Sequence, residues 1–244
     1  MPENIIHNLN VILKRIENAC INAGRNPKEV KLLMATKTVS TDRIKIALQT
    51  GQTLIAENKV QEVKEKYEDL KNIPHTSHFI GHLQTNKIKD ILKYGVQCVQ
   101  SVDRLDLAEK LHQKLLAEER EMNILIQVNT SNEESKFGVS PENTLDLVKE
   151  ISTLSTLKIK GLMTIGLFSS DEERVRTCFQ LLKSLQQKIT NLNLPNVEMK
   201  ELSMGMSGDL EIAIQEGATI VRVGTAIFGE RIYPDSYYWN EQNK

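Results

Sequence analysis

No stretch of this 244-residue sequence approaches the ~20 consecutive apolar residues that a membrane-spanning helix needs. Neither sign of charge is in surplus: 31 Lys+Arg stand against 32 Asp+Glu. The basic excess of a protein built to hold nucleic acid is therefore missing. The three cysteines (Cys20, Cys98 and Cys178) are scattered, odd in number and match no metal-ligand spacing. That pattern excludes a disulfide framework or a zinc site and leads us to expect a reducing cytoplasm. The N-terminus lacks the basic start, apolar block and small-residue cleavage site of a signal peptide. Instead Ile5, Leu9, Leu13 and Ile16 recur at helical spacing, which predicts an amphipathic helix over 1–24. Also missing are a Pro/Gly/Ser-rich linker, a short repeat, a low-complexity segment and an early glycine-rich dinucleotide turn.

Eight short apolar runs are present, at 31–38, 53–58, 77–82, 97–103, 123–130, 159–166, 200–205 and 219–229. Several are apolar on successive residues, as in parallel strands covered on both sides. Periodic segments at 41–50, 58–71, 84–94, 104–120, 141–155, 171–191 and 208–216 read as helices between them. In the fourth of these, Leu105, Ala108, Leu111, Leu115 and Leu116 form a stripe, with Asp103 as the expected N-cap. Eight βα alternations in about 250 residues predict a single α/β domain, a (β/α)8 TIM barrel; an open doubly wound sheet is the other arrangement compatible with the alternation. The expected layout is the N-terminal helix, a barrel over 31–229 and a tail over 230–244.

The working face of such a barrel is made by the C-terminal strand ends and the loops after them. Lys37 ends the first run, on one face with Leu33 and Ala35. Apolar surroundings destabilise its charged form and favour the free amine that condenses with an aldehyde; a lysine merely emerging into solvent is the plainer alternative. In the seventh segment Gly205 and Gly208 flank Ser207, read as the N-cap of the following helix, and the eighth supplies Gly224 and Thr225. Loops after strands seven and eight are where these barrels recurrently bind phosphate, although glycines also serve tight turns. Arg222 interrupts an apolar strand on one face with Ile220 and Gly224. There it meets an anion, a ring nitrogen or a core carboxylate, with Glu201 and Asp209 the available acids.

Taken in order, the blocks MATKTVS around Lys37, AENKVQE (56–62), HFIGHLQTNK (78–87), SVDR (101–104), VNTSNEESKFGV (128–139), GLMTIG (161–166), SMGMSGD (203–209) and VRVGTAIFGER (221–231) are recognisable. Together they resemble the pyridoxal phosphate (PLP) homeostasis proteins, small barrels related to the N-terminal domain of bacterial alanine racemase. The resemblance runs from about residue 5 to residue 231, with Ala56 where the family usually has Gly and Lys59 where Tyr is common. It implies that Lys37 forms a Schiff base with PLP and that Ser207, Gly224 and Thr225 hold its phosphate. It also implies that Asn58 lies beside the cofactor, that Arg222 faces the pyridine nitrogen, and that Met206 and His82 form wall or rim. The function implied is monomeric, non-catalytic PLP binding in vitamin B6 and amino-acid homeostasis, with no nucleic-acid or membrane partner. The racemase's second proton carrier, a tyrosine from a separate β-domain, has no evident counterpart; Tyr233, Tyr237 and Tyr238 sit in a polar tail. The competing expectations are a racemase or decarboxylase of the same lineage and a barrel enzyme acting on a sugar phosphate.

Overall fold

A computed structural model describes residues 2–229; Tyr233, Tyr237, Tyr238 and the rest of the expected tail lie outside the described residues. The strands are β1 (Lys31–Ala35), β2 (Leu54–Glu57), β3 (Thr76–Phe79), β4 (Cys98–Val102), β5 (Met122–Gln127), β6 (Leu157–Met163), β7 (Val197–Ser203) and β8 (Ile220–Val223). All neighbours are parallel, and β8 returns to β1 with Leu33 opposite Arg222, so the sheet is a closed barrel rather than an open one. The helices are α1 (Pro2–Asn22), α2 (Thr41–Leu48), α3 (Val60–Leu70), α4 (Ile88–Lys93), α5 (Leu105–Ala117), α6 (Thr144–Ser152), α7 (Glu172–Thr190), α8 (Leu210–Gln215) and α9 (Thr225–Phe228).

Two apolar layers follow from the strand pleat. Outward residues such as Met34, Ile55, Val99, Ile124 and Leu162 join the inner faces of the helices in one continuous core. Inward residues form smaller groups inside the barrel, Leu33 with Ala56 and Ile220, and Cys98 with Leu125 and Met163. That two-sided burial is why the strands read as unbroken apolar runs. All three cysteines are buried and unpaired.

Helix α1 lies across the junction of β8 and β1. It buries Ile5, Leu9, Ile12 and Ile16, so Ile12 joins the expected stripe, whose Leu13 is partly buried against the same core. Its polar side chains reach the C-terminal part of the barrel: Asn8 donates to the Ile227 carbonyl at 3.1 Å, and Arg15 grips Glu211 with two nitrogens at 2.7 and 2.8 Å.

The structure corrects several boundaries. The run 219–229 is not one strand: β8 ends at Val223, Gly224 turns the chain, and Thr225–Phe228 form the short α9. The N-cap of α5 is Arg104, not Asp103, whose carboxylate instead pairs with Arg104 at 2.8 Å. On α5 the buried stripe is Leu107, Ala108, Leu111 and Leu115, while Leu116 is exposed. The N-cap position of α8 is Asp209, not Ser207; its carboxylate makes no capping bond and instead turns back to accept the Met206 amide at 2.5 Å.

Candidate functional site

Lys37 leaves the end of β1 in a tight turn, half-buried, immediately after the fully buried Thr36. The turn is unusual locally, since Thr38 has φ 65°, a left-handed backbone that costs a β-branched residue strain. Three side chains beneath the turn hold it. Lys66 of α3 donates to the Thr36 carbonyl at 2.8 Å, the Thr36 hydroxyl donates to Glu57 at 2.6 Å, and the Thr38 amide donates to Glu62 at 2.6 Å. Lys66 also bridges Glu57 at 2.8 Å and Glu62 at 2.7 Å. Burial pushes the Glu57 carboxyl up to about 7 against the pull of Lys66.

On one side of Lys37, Gly224 packs against β1. A Cβ added there would stand 2.9 Å from the Ala35 carbonyl oxygen, so glycine is what lets β8 end this close to the lysine's strand. Thr225 follows, exposed at the mouth. The β7 loop beside it carries Met206 and Ser207, both half-buried, and Gly208, whose added Cβ would meet nothing within 4 Å. Arg15 anchors this loop by donating to the Ser207 carbonyl at 2.9 Å. Asp209 is half-buried, and burial raises its carboxyl above the usual range.

On the other side Asn58 follows β2. Its Oδ1 is buried and has no hydrogen-bond partner among the described residues, a vacancy for a donor that natural structures rarely leave. Gly81 after β3 is the residue that crowds it: a Cβ at Gly81 would fall 1.9 Å from the Asn58 carbonyl oxygen. His82 stacks on Phe137 with ring centroids 4.0 Å apart, and its buried Nδ1 likewise lacks a partner among the described residues.

Arg222 projects into the barrel from β8 and is buried. Burial lowers its pKa to about 10, so it remains charged at neutral pH. Its bonds do not go to a carboxylate. It donates to the Ser203 hydroxyl at 2.9 Å and to the Thr164 carbonyl at 2.7 Å, while Glu201 is occupied by Lys31 and Thr219. Ser203 passes its own proton to Gln100 Oε1 at 2.6 Å, and Gln100 Nε2 lies 2.7 Å from His78 Nδ1. Guanidinium only donates, so Ser203 accepts from Arg222; the orientation of the Gln100 amide sets the rest, its oxygen accepting from Ser203 and its nitrogen donating to His78. His78 must accept at Nδ1 and so is neutral, with its hydrogen on Nε2. Burial agrees, lowering its pKa from 6.5 to about 4.

The sequence does not single out His78 or Gln100. The available signal was alternation, since His78 and Ile80, like Cys98 and Gln100, fall two apart on faces that closure turns inward. Between pH 6.5 and 4 the unfolded chain holds a proton at His78 that the folded chain refuses. Stability therefore rises with pH through this window and is lost on acidification, by up to about 3 kcal/mol. Urea unfolding at several pH values measures it. The variant His78→Asn, which keeps an acceptor but cannot titrate, should show a flatter pH dependence; parallel curves would refute the assignment.

The expected site residues thus gather around one barrel mouth, Arg222 within it, Gly224 and Asn58 beside the two edges of the lysine turn, and Ser207, Met206 and Thr225 on the β7 and β8 side. Donors and acceptors suit a small ring bearing an anionic ester. A lysine supplies an amine, small-residue loops leave room for an anion, and Asn58 offers a buried acceptor lacking a donor. Among the described residues no group of three His, Cys, Asp or Glu is arranged to hold a metal.

Comparison with known proteins identifies similar sequences and structures along most of the chain. The family model described as alanine racemase, N-terminal domain, matches residues 3–232. A pyridoxal phosphate homeostasis protein of Aquifex aeolicus is 42% identical over 230 residues, 94% of this chain and 100% of that protein. Among solved structures, an unknown protein from Bifidobacterium adolescentis superposes with a TM-score of 0.88 at 38% identity, covering 93% of this chain and 95% of that one. PipY of Synechococcus elongatus, solved with PLP bound, superposes with a TM-score of 0.78 at 29% identity, covering 89% of this chain and 100% of that one.

Proposed function

The chain belongs to the alanine racemase N-terminal domain family, among the pyridoxal phosphate homeostasis proteins, and from that premise we propose that it binds PLP through Lys37 and serves the balance of that cofactor and of amino acids without turning a substrate over. The observation that carries the reading is the joint placement of the Lys37 turn and the β7 and β8 glycine loops on one mouth, with Gly224 packed directly on the lysine's strand.

When bound, PLP supplies an aldehyde that condenses with amines and a pyridine ring that withdraws electrons. Lys37 provides the amine at the end of β1. Ser207, Gly224 and Thr225 line the part of the mouth that would receive the phosphate, with the hydroxyls of Ser207 and Thr225 as donors. Met206 closes the wall between them, and Asn58 presents its unpartnered oxygen on the opposite side. Arg222 sets the electronic character of the site. It is a fixed positive charge that only donates, so a ring nitrogen placed against it would have to accept a hydrogen bond and would be kept unprotonated. An unprotonated ring is a weak electron sink, which favours holding the cofactor over carbanion chemistry. A racemase also needs a second positioned proton carrier. Asp209, the carboxyl that Arg222 feels most, is committed to the Met206 amide.

Reduction with borohydride tests the assignment. The protein incubated with PLP, reduced and digested, should carry the pyridoxyl mass on the peptide containing Lys37. Label confined to another lysine, or no label, would overturn it. The protein alone should leave a panel of amino acids unconverted at high concentration; turnover of any of them would favour the racemase or decarboxylase reading. Among the described residues no helix is long and apolar enough to cross a membrane. We further propose a monomer acting in the cytoplasm.

A further inference from the structure

We propose that Glu62, braced by Lys66, is a positioning residue for Lys37: it holds the turn that aims the lysine at the barrel mouth. The inference rests on the reading of Lys37 as the attachment point. Lys37 is flanked by two residues whose backbone is tied to the same helix. Before it, the Thr36 carbonyl accepts from Lys66 Nζ at 2.8 Å; after it, the Thr38 amide donates to Glu62 at 2.6 Å. Glu62 and Lys66 are themselves joined at 2.7 Å, one turn apart on α3. Their side chains are 15% and 11% exposed, so solvent screens the pair little. The tie has a reason to exist. Thr38 stands at φ 65°, which a β-branched residue avoids unless its surroundings compensate. A charge-assisted bond to its amide is such a compensation. Without it the turn relaxes to an ordinary backbone conformation, and a one-residue change of φ re-aims the side chain that precedes it. Glu57 backs the arrangement from beneath, holding Lys66 at 2.8 Å and the Thr36 hydroxyl at 2.6 Å. Glu62 and Lys66 grip backbone atoms on either side of Lys37, the Thr38 amide and the Thr36 carbonyl.

The test uses the full chain with and without PLP. In the cofactor-free protein, amide exchange followed by NMR should show the Thr38 amide exchanging about tenfold faster in Glu62→Ala, the scale of a lost hydrogen bond to a charged group, with the β5 amides of Ile124 and Ile126 unchanged. The rate at which formaldehyde and cyanoborohydride methylate Lys37 in the same cofactor-free protein, read by peptide mass, should change at least threefold. With PLP, Glu62→Ala should bind about tenfold more weakly, while Glu62→Gln, which keeps an acceptor for the Thr38 amide, should recover most of all three readouts. An unchanged Thr38 amide, or a freed Thr38 amide with Lys37 reactivity and PLP affinity both unaltered, overturns the proposal. Failure of the wild type to attach PLP at Lys37 instead overturns the functional reading, and the exchange and methylation results still decide whether Glu62 aims the lysine.

Discussion

Lys37→Ala should abolish the visible absorption that the wild-type chain gains with PLP, and should leave no pyridoxyl mass after borohydride reduction. The expected loss is complete because covalent attachment needs an amine at that position, and alanine offers none. The fold should survive. Lys37 is half-buried in a turn after β1 rather than in the packed core, so its truncation is expected to change stability within the ~0.5 kcal/mol typical of surface sites. Residual non-covalent PLP binding in the variant, displaced by inorganic phosphate, would locate the anion-binding part of the site on the β7 and β8 loops independently of the lysine. A variant that keeps the wild-type band would refute the attachment.

Gly81→Ala should be the most damaging single methyl in the site. The added Cβ would fall 1.9 Å from the Asn58 carbonyl oxygen and 2.6 Å from its carbon. Both are backbone atoms, which cannot swing aside as a flexible side chain would, so the β2 and β3 loops must separate. Overpacking of this kind costs about 3 kcal/mol, and at ~2–4 °C per kcal/mol for a chain of this size the melting temperature should fall by about 6–12 °C. Thermal melting followed by circular dichroism measures this. PLP affinity should fall with it, because Asn58 moves with its own carbonyl. A Tm unchanged within about 1 °C would mean that the loops part freely, against the rigidity expected of a close-packed interior.

The barrel is legible in the sequence because parallel strands buried on both faces leave unbroken apolar runs such as ILIQV, and the count of eight selects a closed sheet. Lys37, Ser207 and the Gly224–Thr225 pair are legible for a related reason, since polar or small residues at the ends of such runs fall on the mouth. What escapes is whatever depends on closure. TIVRVGTAIFG hides the short α9, because Thr225–Phe228 continue the apolar run and four residues are too few to show a helical period. Ser207 and Asp209 both suit an N-cap by residue type, and the helix begins only after Asp209, whose carboxylate goes to the Met206 amide rather than to the helix. The alternatives offered for Arg222 included Glu201 and Asp209; its chosen partners, Ser203 and Thr164, come from two other strand ends and become neighbours only inside the barrel. The left-handed Thr38 is hidden for another reason, since threonine is a residue type that the turn would not select by propensity.

Helix α1 carries a consequence for how the molecule is made. Its bonds from Asn8 to Ile227 and from Arg15 to Glu211 span 219 and 196 residues of sequence. A chain emerging from the ribosome therefore translates its first helix long before the surface that helix covers exists. Closure of β8 on β1 and full docking of α1 both wait for the segment that carries Glu211 and Ile227, so until it is made the helix has α2 to pack on but part of its apolar stripe stays uncovered. Such a topology folds slowly for its size, and its vulnerable interval is the time α1 spends waiting for α8, β8 and α9.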